Sequence, residues 1–98
     1  MTLIELIKKI EKLNKINKEL ELDEKKLVIE VNDYYLSYEV KTMKDLNKII
    51  KDYEWKEEEK EVLNTKELKK VGKDEYQLNE TYYIGQYDSR IKLSIELR

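Results

Sequence analysis

Residues 90–97 read Arg-Ile-Lys-Leu-Ser-Ile-Glu-Leu. Ile91, Leu93, Ile95 and Leu97 alternate strictly with Lys92, Ser94 and Glu96, the period of a strand with one buried face and one wet face. This run decides the fold class. A half-buried strand needs antiparallel neighbours and an apolar layer against one side. The preceding residues supply a neighbour: Thr81 to Tyr87 is rich in β-branched and aromatic residues, and Asp88-Ser89 lies between the two runs. A closing hairpin that turns at Asp88-Ser89 is expected.

The same pattern recurs upstream. Leu27, Ile29 and Val31 alternate with Lys26, Val28 and Glu30, and Tyr34, Leu36, Tyr38 and Val40 alternate with Tyr35, Ser37 and Glu39. Asn32-Asp33 separates these runs, and both residue types tolerate the left-handed backbone of tight turns. A second hairpin is expected, with Tyr34 and Tyr38 on the core face with Leu36 and with Tyr35 on the other face.

Helical spacing surrounds this hairpin. Thr2 and Glu5 form a capping box, and Leu3, Leu6, Ile7, Ile10, Leu13, Ile16 and Leu20 then recur on one side. A helix over about 3–19 is expected. Thr42 with Asp45 starts another, over about 43–53, with Met43, Leu46, Ile49, Ile50 and Tyr53 as its stripe. Residues 56–64 are helix-prone, either as a separate helix or as a continuation. Residues 66–80 admit two readings: a short helix capped by Gly72, or a strand turning at Gly72-Lys73 into Tyr76-Gln77-Leu78. The sum is a single α+β domain over 1–98, an antiparallel sheet with helices packed on one face.

Composition narrows the chemistry. The 98 residues contain neither cysteine nor histidine, so thiol nucleophiles, disulfides, zinc-thiolate sites and Ser-His pairs are excluded. The serines are Ser37, Ser89 and Ser94, and Gly72 and Gly85 stand alone, so no glycine-rich phosphate loop exists. No catalytic residue, metal site or cofactor is expected, and the protein reads as a binder rather than an enzyme. Twenty basic residues against 22 acidic leave a net charge of -2, which does not suggest a sequence-specific nucleic-acid binder. No apolar run approaches the length of a membrane span or a signal-peptide core, and a cytoplasmic location is expected.

Three features point to partners. The densest carboxylate cluster is Asp52, Glu54, Glu57, Glu58, Glu59 and Glu61, partly offset by Lys56 and Lys60. It reads as a solvated helix face or as an acidic docking surface, with a catalytic or metal site as the third reading. Glu54 with Glu58, and Glu57 with Glu61, are like charges four apart, each costing about 0.2–0.5 kcal/mol on a helix. Eight tyrosines and Trp55, with no phenylalanine, provide rigid contact area with polar tips. Tyr35 and one of Tyr82-Tyr83 are expected to face away from the core. Finally, Leu3, Leu6, Ile10, Leu13, Asn17 and Leu20 fit a heptad seam, with Asn17 at an a position that can set the register of a homodimer. The alternative is that this stripe packs on its own sheet.

Three segments carry a resemblance: Leu6-Ile7-Lys8-Lys9-Ile10, Leu27-Val28-Ile29-Glu30-Val31-Asn32, and Ile91-Lys92-Leu93-Ser94-Ile95-Glu96-Leu97. In these the chain resembles type II-A anti-CRISPR proteins, small phage-encoded inhibitors of RNA-guided nucleases. The resemblance implies an inhibitor of a CRISPR effector nuclease loaded with its guide RNA, acting in the cytoplasm of a bacterial host. Its carboxylates would stand where DNA phosphates lie, against arginines and lysines of the nuclease. Asp52, Glu54, Glu57, Glu58 and Glu61, with Asp74 and Glu75, would be the contacts, beside Trp55 and Tyr35. The chain is less acidic than DNA mimics usually are, so the mimicry would be confined to one face. Two other classes stand beside this one: a small homodimeric regulatory or adaptor protein of antitoxin type, and a small enzyme that antagonises defence signalling.

Overall fold

The computed structural model describes residues 1–32 and 36–98. Among them the order is α1 (Leu3–Glu19), β1 (Leu27–Val31), β2 (Ser37–Val40), α2 (Met43–Asp52), α3 (Glu57–Thr65), β3 (Lys69–Lys70), β4 (Glu75–Ile84) and β5 (Tyr87–Leu97). The strands form one antiparallel sheet in the order β2-β1-β5-β4-β3. The α+β expectation holds, with the strictly alternating final strand at the centre of the sheet.

Register explains the core. Leu93 stands opposite both Val31 and Leu78, Ile95 opposite Ile29 and Tyr76, and Leu97 opposite Leu27. These side chains line one face, and the apolar sides of all three helices join them in a single core. The other face, with Val28, Glu30, Glu39, Gln77, Ser94 and Glu96, carries no helix and is mostly polar. Among the described residues, no helix is long and apolar enough to cross a membrane.

Local signals set the helix ends. In α1 the Glu5 amide donates to Thr2 Oγ1 at 3.2 Å and the Thr2 amide donates to Glu5 Oε1 at 3.3 Å. In α2 the Asp45 amide donates to Thr42 Oγ1 at 3.4 Å, and Asp45 Oδ2 accepts from the Thr42 and Lys41 amides at 3.2 and 2.8 Å. Aspartate thus closes the reciprocal cap that its short side chain makes harder.

The helix C-termini hold a surprise. Trp55 N–H donates to Ile50 O (3.0 Å) and Glu54 N–H to Lys51 O (3.1 Å), while Leu22 N–H donates to Asn17 O (2.7 Å) and Glu21 N–H to Lys18 O (3.3 Å). Both are Schellman closures, which need a left-handed residue just past the cap. Glycine usually fills that position. Here it is Glu54 at φ 51° and Glu21 at φ 56°. A left-handed L-residue costs about 1–2 kcal/mol, so Glu54→Gly is expected to raise stability by about 1 kcal/mol, or about 4–8 °C in Tm by calorimetry. The same turn separates α2 from α3. Glu54 is therefore not on a helix, and the expected helical repulsion between Glu54 and Glu58 does not exist.

Other expectations are corrected. The closing hairpin turns at Gly85-Gln86, because Gly85 takes φ 62° and Ile84 pairs with Tyr87. Asp88 and Ser89 lie inside β5, opposite Tyr83 and Tyr82. The strand reading of 66–80 holds, since Lys69 and Lys70 pair with Gln77 and Tyr76 around a turn that contains Gly72. Leu36 is exposed rather than core, because the β1–β2 ladder begins only at Glu30 and Ser37. Tyr34, Tyr35 and Asp33 lie outside the described residues. Asn32 instead extends the sheet: at φ 51° its amide donates to Lys92 O (2.7 Å) and its Oδ1 accepts from the Lys92 amide (3.0 Å).

The heptad seam is used by the fold only in part, since Leu13 and Leu20 are exposed. Leu3, Leu6, Ile10 and Asn17 face the protein's own interior. Asn17 Nδ2 donates to Asp23 O at 3.2 Å, and Asn14 both donates to Lys25 O (2.8 Å) and accepts from the Lys25 amide (2.7 Å). The two asparagines fold the 20–26 connection back along α1, which explains a polar residue on an otherwise apolar side.

Candidate interaction surface

β4 and β5 pair from Glu75↔Glu96 to Ile84↔Tyr87, much further than either neighbour reaches. β1 covers β5 only from Leu93 to Leu97, and β3 covers β4 only at Tyr76 and Gln77. Beyond Leu78↔Leu93 the hairpin runs on with two strands alone, about 20 Å at the usual rise. The molecule is accordingly elongated, 52 Å by 26 by 25 Å. Ile91 at the root of this arm is still buried in the core. The tip, Tyr83 to Asp88, is exposed apart from the half-buried Ile84.

Alternation places the tip tyrosines on opposite sides. Tyr83, opposite Asp88, shares the helix-free face of the sheet, while Tyr87, opposite Ile84, shares the helix face. They are 78% and 77% exposed. An aromatic ring on each side of a narrow ribbon suits insertion into a groove better than contact with a flat surface.

The first turn of α3 lies against the helix face of this arm at Tyr82. Tyr82 is partly buried against the core, and its hydroxyl is raised above its ordinary 10.0 by burial first and then by the Glu59 carboxylate. Stability from the neutral phenol is therefore complete below the unfolded pKa and is lost as pH rises through the higher folded value. Tyr82→Phe is expected to flatten the alkaline fall in stability, read as urea midpoints at about pH 8 and about pH 11.

Glu59 is half-buried, and its Oε2 accepts from the Lys56 amide at 3.1 Å, so it acts as part of the helix cap. Glu57, Glu58 and Glu61 point to solvent, and Glu57 Oε1 meets Lys60 Nζ at 3.1 Å. Carboxylates in a first turn are favoured by the helix dipole, by about 0.3–1 kcal/mol each, which offsets the Glu57–Glu61 repulsion. Their presence therefore has a structural cause as well as any functional one. Locally, residues 52–61 hold six carboxylates against two lysines, a balance of -4 in a chain whose total is -2.

The remaining candidate residues divide. Asp52 ends α2, and its carboxylate is among the groups that raise the Tyr38 hydroxyl, after burial and Tyr53. Trp55 is half-buried, 5.8 Å from Tyr53 by ring centroid, and Tyr53 meets Tyr38 edge-on at 6.0 Å. This aromatic group anchors the α2–α3 turn to the sheet and leaves Trp55 only part of its surface for a partner. Asp74 and Glu75 are not brought to the acidic turn. Glu75 lies opposite Glu96 on the helix-free face, in a shallow concavity with Val28, Glu30, Val71 and Arg98. There Arg98 Nη2 pairs with Glu96 Oε2 at 3.0 Å. Among the described residues no group of acidic side chains is arranged to hold a metal ion.

No family model matches the chain, and no curated protein or solved structure matches it.

Sequence reasoning missed Tyr87 because it placed the turn three residues late. The legible signal was Ile84-Gly85-Gln86-Tyr87, a two-residue loop opened by glycine and flanked by apolar residues.

Proposed function

We propose that this protein is an inhibitor that works by binding, of the anti-CRISPR type that its sequence resembles. The hairpin arm enters a basic groove that the target uses for nucleic acid, and the acidic turn of α3 seats against the rim. The supporting observation is the joining of two unlike features in one place. A protruding ribbon with an exposed tyrosine on each side rises beside Glu57, Glu58 and Glu61, which face solvent at the most acidic point of the chain. Aromatic anchors supply contact energy, while carboxylates supply steering and selectivity for cationic surfaces.

The target fitting this surface is a host nuclease that binds nucleic acid through arginines and lysines, such as a CRISPR effector carrying its guide RNA. Tagged protein expressed in cells with a type II CRISPR effector is expected to co-purify with the nuclease. The triple variant Glu57→Lys, Glu58→Lys, Glu61→Lys is expected to lose it while keeping a wild-type circular dichroism spectrum. Retention of the nuclease by a folded triple variant would return that turn to an ordinary solvated helix start.

A further inference from the structure

Only the first half of α1 is fully used by its own fold. Leu3, Leu6, Ile7 and Ile10 are buried, whereas Leu13, Ile16 and Leu20 are 40%, 53% and 62% exposed. At 100° per residue these three and Lys9 form one stripe, about 90° around the helix from the core line. The Schellman turn leaves Leu22, 58% exposed, at the same end.

The charges beside this stripe select what covers it. Lys9 lies within it and Lys12 beside it toward its N-terminal end, and Glu19 and Glu21 lie at its C-terminal end. Lys9, Lys12, Glu19 and Glu21 make no ion pair among the described residues. A helix with apolar residues in the middle and opposite charges at its two ends is complementary to itself, but only head to tail.

We infer that this stripe is the two-fold interface of a homodimer, in which α1 packs antiparallel on α1 of a second copy. The register that sets Leu13 of one copy against Leu20 of the other also brings Lys12 of one against Glu21 of the other, twice by symmetry. Ile16 then lies at the two-fold axis. A parallel pair would stack Lys9, which lies within the stripe, on Lys9 of the other copy. The contact is small, a few apolar residues per copy, so the dimer belongs to the weak, micromolar class. The inference stands apart from the inhibitory reading, since the arm tip lies beyond Val31 and Leu93. The Leu27–Leu97 end of the sheet is the one that Asn14 and Lys25 hold beside the second half of α1. Pairing through α1 leaves both arms free.

Sedimentation equilibrium of the full chain tests this. Wild type is expected to rise from monomer to dimer mass between about 5 and about 500 µM at low salt. Ile16→Glu with Leu20→Glu is expected to stay monomeric with an unchanged circular dichroism spectrum. Lys12→Glu is expected to weaken the dimer about 3–10-fold, and Lys12→Glu with Glu21→Lys to restore it. Monomer mass for wild type throughout would overturn the proposal, as would a dimer that survives the double glutamate variant. A Lys12→Glu dimer tighter than wild type, or no restoration in the charge swap, would overturn the antiparallel register.

Discussion

Alanine at both Tyr83 and Tyr87 is expected to cut affinity for the target about 100-fold or more without destabilising the protein. Interface anchors of this kind cost about 2 kcal/mol or more each when truncated, and two on one ribbon do not add fully. Both rings stand clear of the core at the far end of a two-stranded arm. Their loss removes almost no packing from the free protein, and the expected change in stability is within about 0.5 kcal/mol. Titration calorimetry against the purified target, with a urea melt of the same variant, checks both halves. The single variants separate the two faces of the arm, since Tyr87 shares the side of the α3 turn and Tyr83 does not.

The second large effect is on folding. Leu93→Ala is expected to cost about 3–5 kcal/mol, read as a lower urea midpoint with an unchanged slope. Leu93 is fully buried at the centre of the sheet and stands opposite Val31 on one side and Leu78 on the other. No neighbouring element is free to collapse into the space. Domains of this size hold only about 5–15 kcal/mol in all, so the loss is a large fraction of the total. Ser94→Ala, one residue along on the helix-free face, is expected to change the midpoint little. The contrast between adjacent residues measures how one-sided the sheet is.

The elements legible in the sequence were those whose signals are local. Thr2 with Glu5 and Thr42 with Asp45 marked two helix starts, and the caps form as expected. The alternation of 91–97 announced the central strand. Other features depended on choices that residue type conceals. Glutamate has no preference for left-handed backbone, so neither Glu21 nor Glu54 advertised a helix end, yet the Schellman hydrogen bonds close on both. Asp88-Ser89 has turn composition, but Gly85 reaches positive φ without strain and takes the turn. Asn17 on an apolar side imitated a coiled-coil register residue, when its amide is satisfied by the chain's own Asp23 carbonyl.

The candidate site was legible in the same uneven way. The acidic run 52–61 was visible as composition. Its position beside the arm was not, because that depends on contacts between α3 and a hairpin some twenty residues later in the chain. Asp74 and Glu75 looked equivalent to the run and lie on a different surface, since strand parity sends Glu75 to the helix-free face.

In the proposed complex the arm and the acidic turn occupy a nucleic-acid groove of a host nuclease. The most direct measurement is binding of target DNA by a type II CRISPR nuclease–guide RNA complex, followed by fluorescence anisotropy as this protein is added. Wild type is expected to displace the DNA to completion, added salt to weaken the displacement, and the Tyr83→Ala, Tyr87→Ala variant to fail to displace it. DNA binding undisturbed by saturating wild-type protein, or equal displacement by the tyrosine variant, would contradict it.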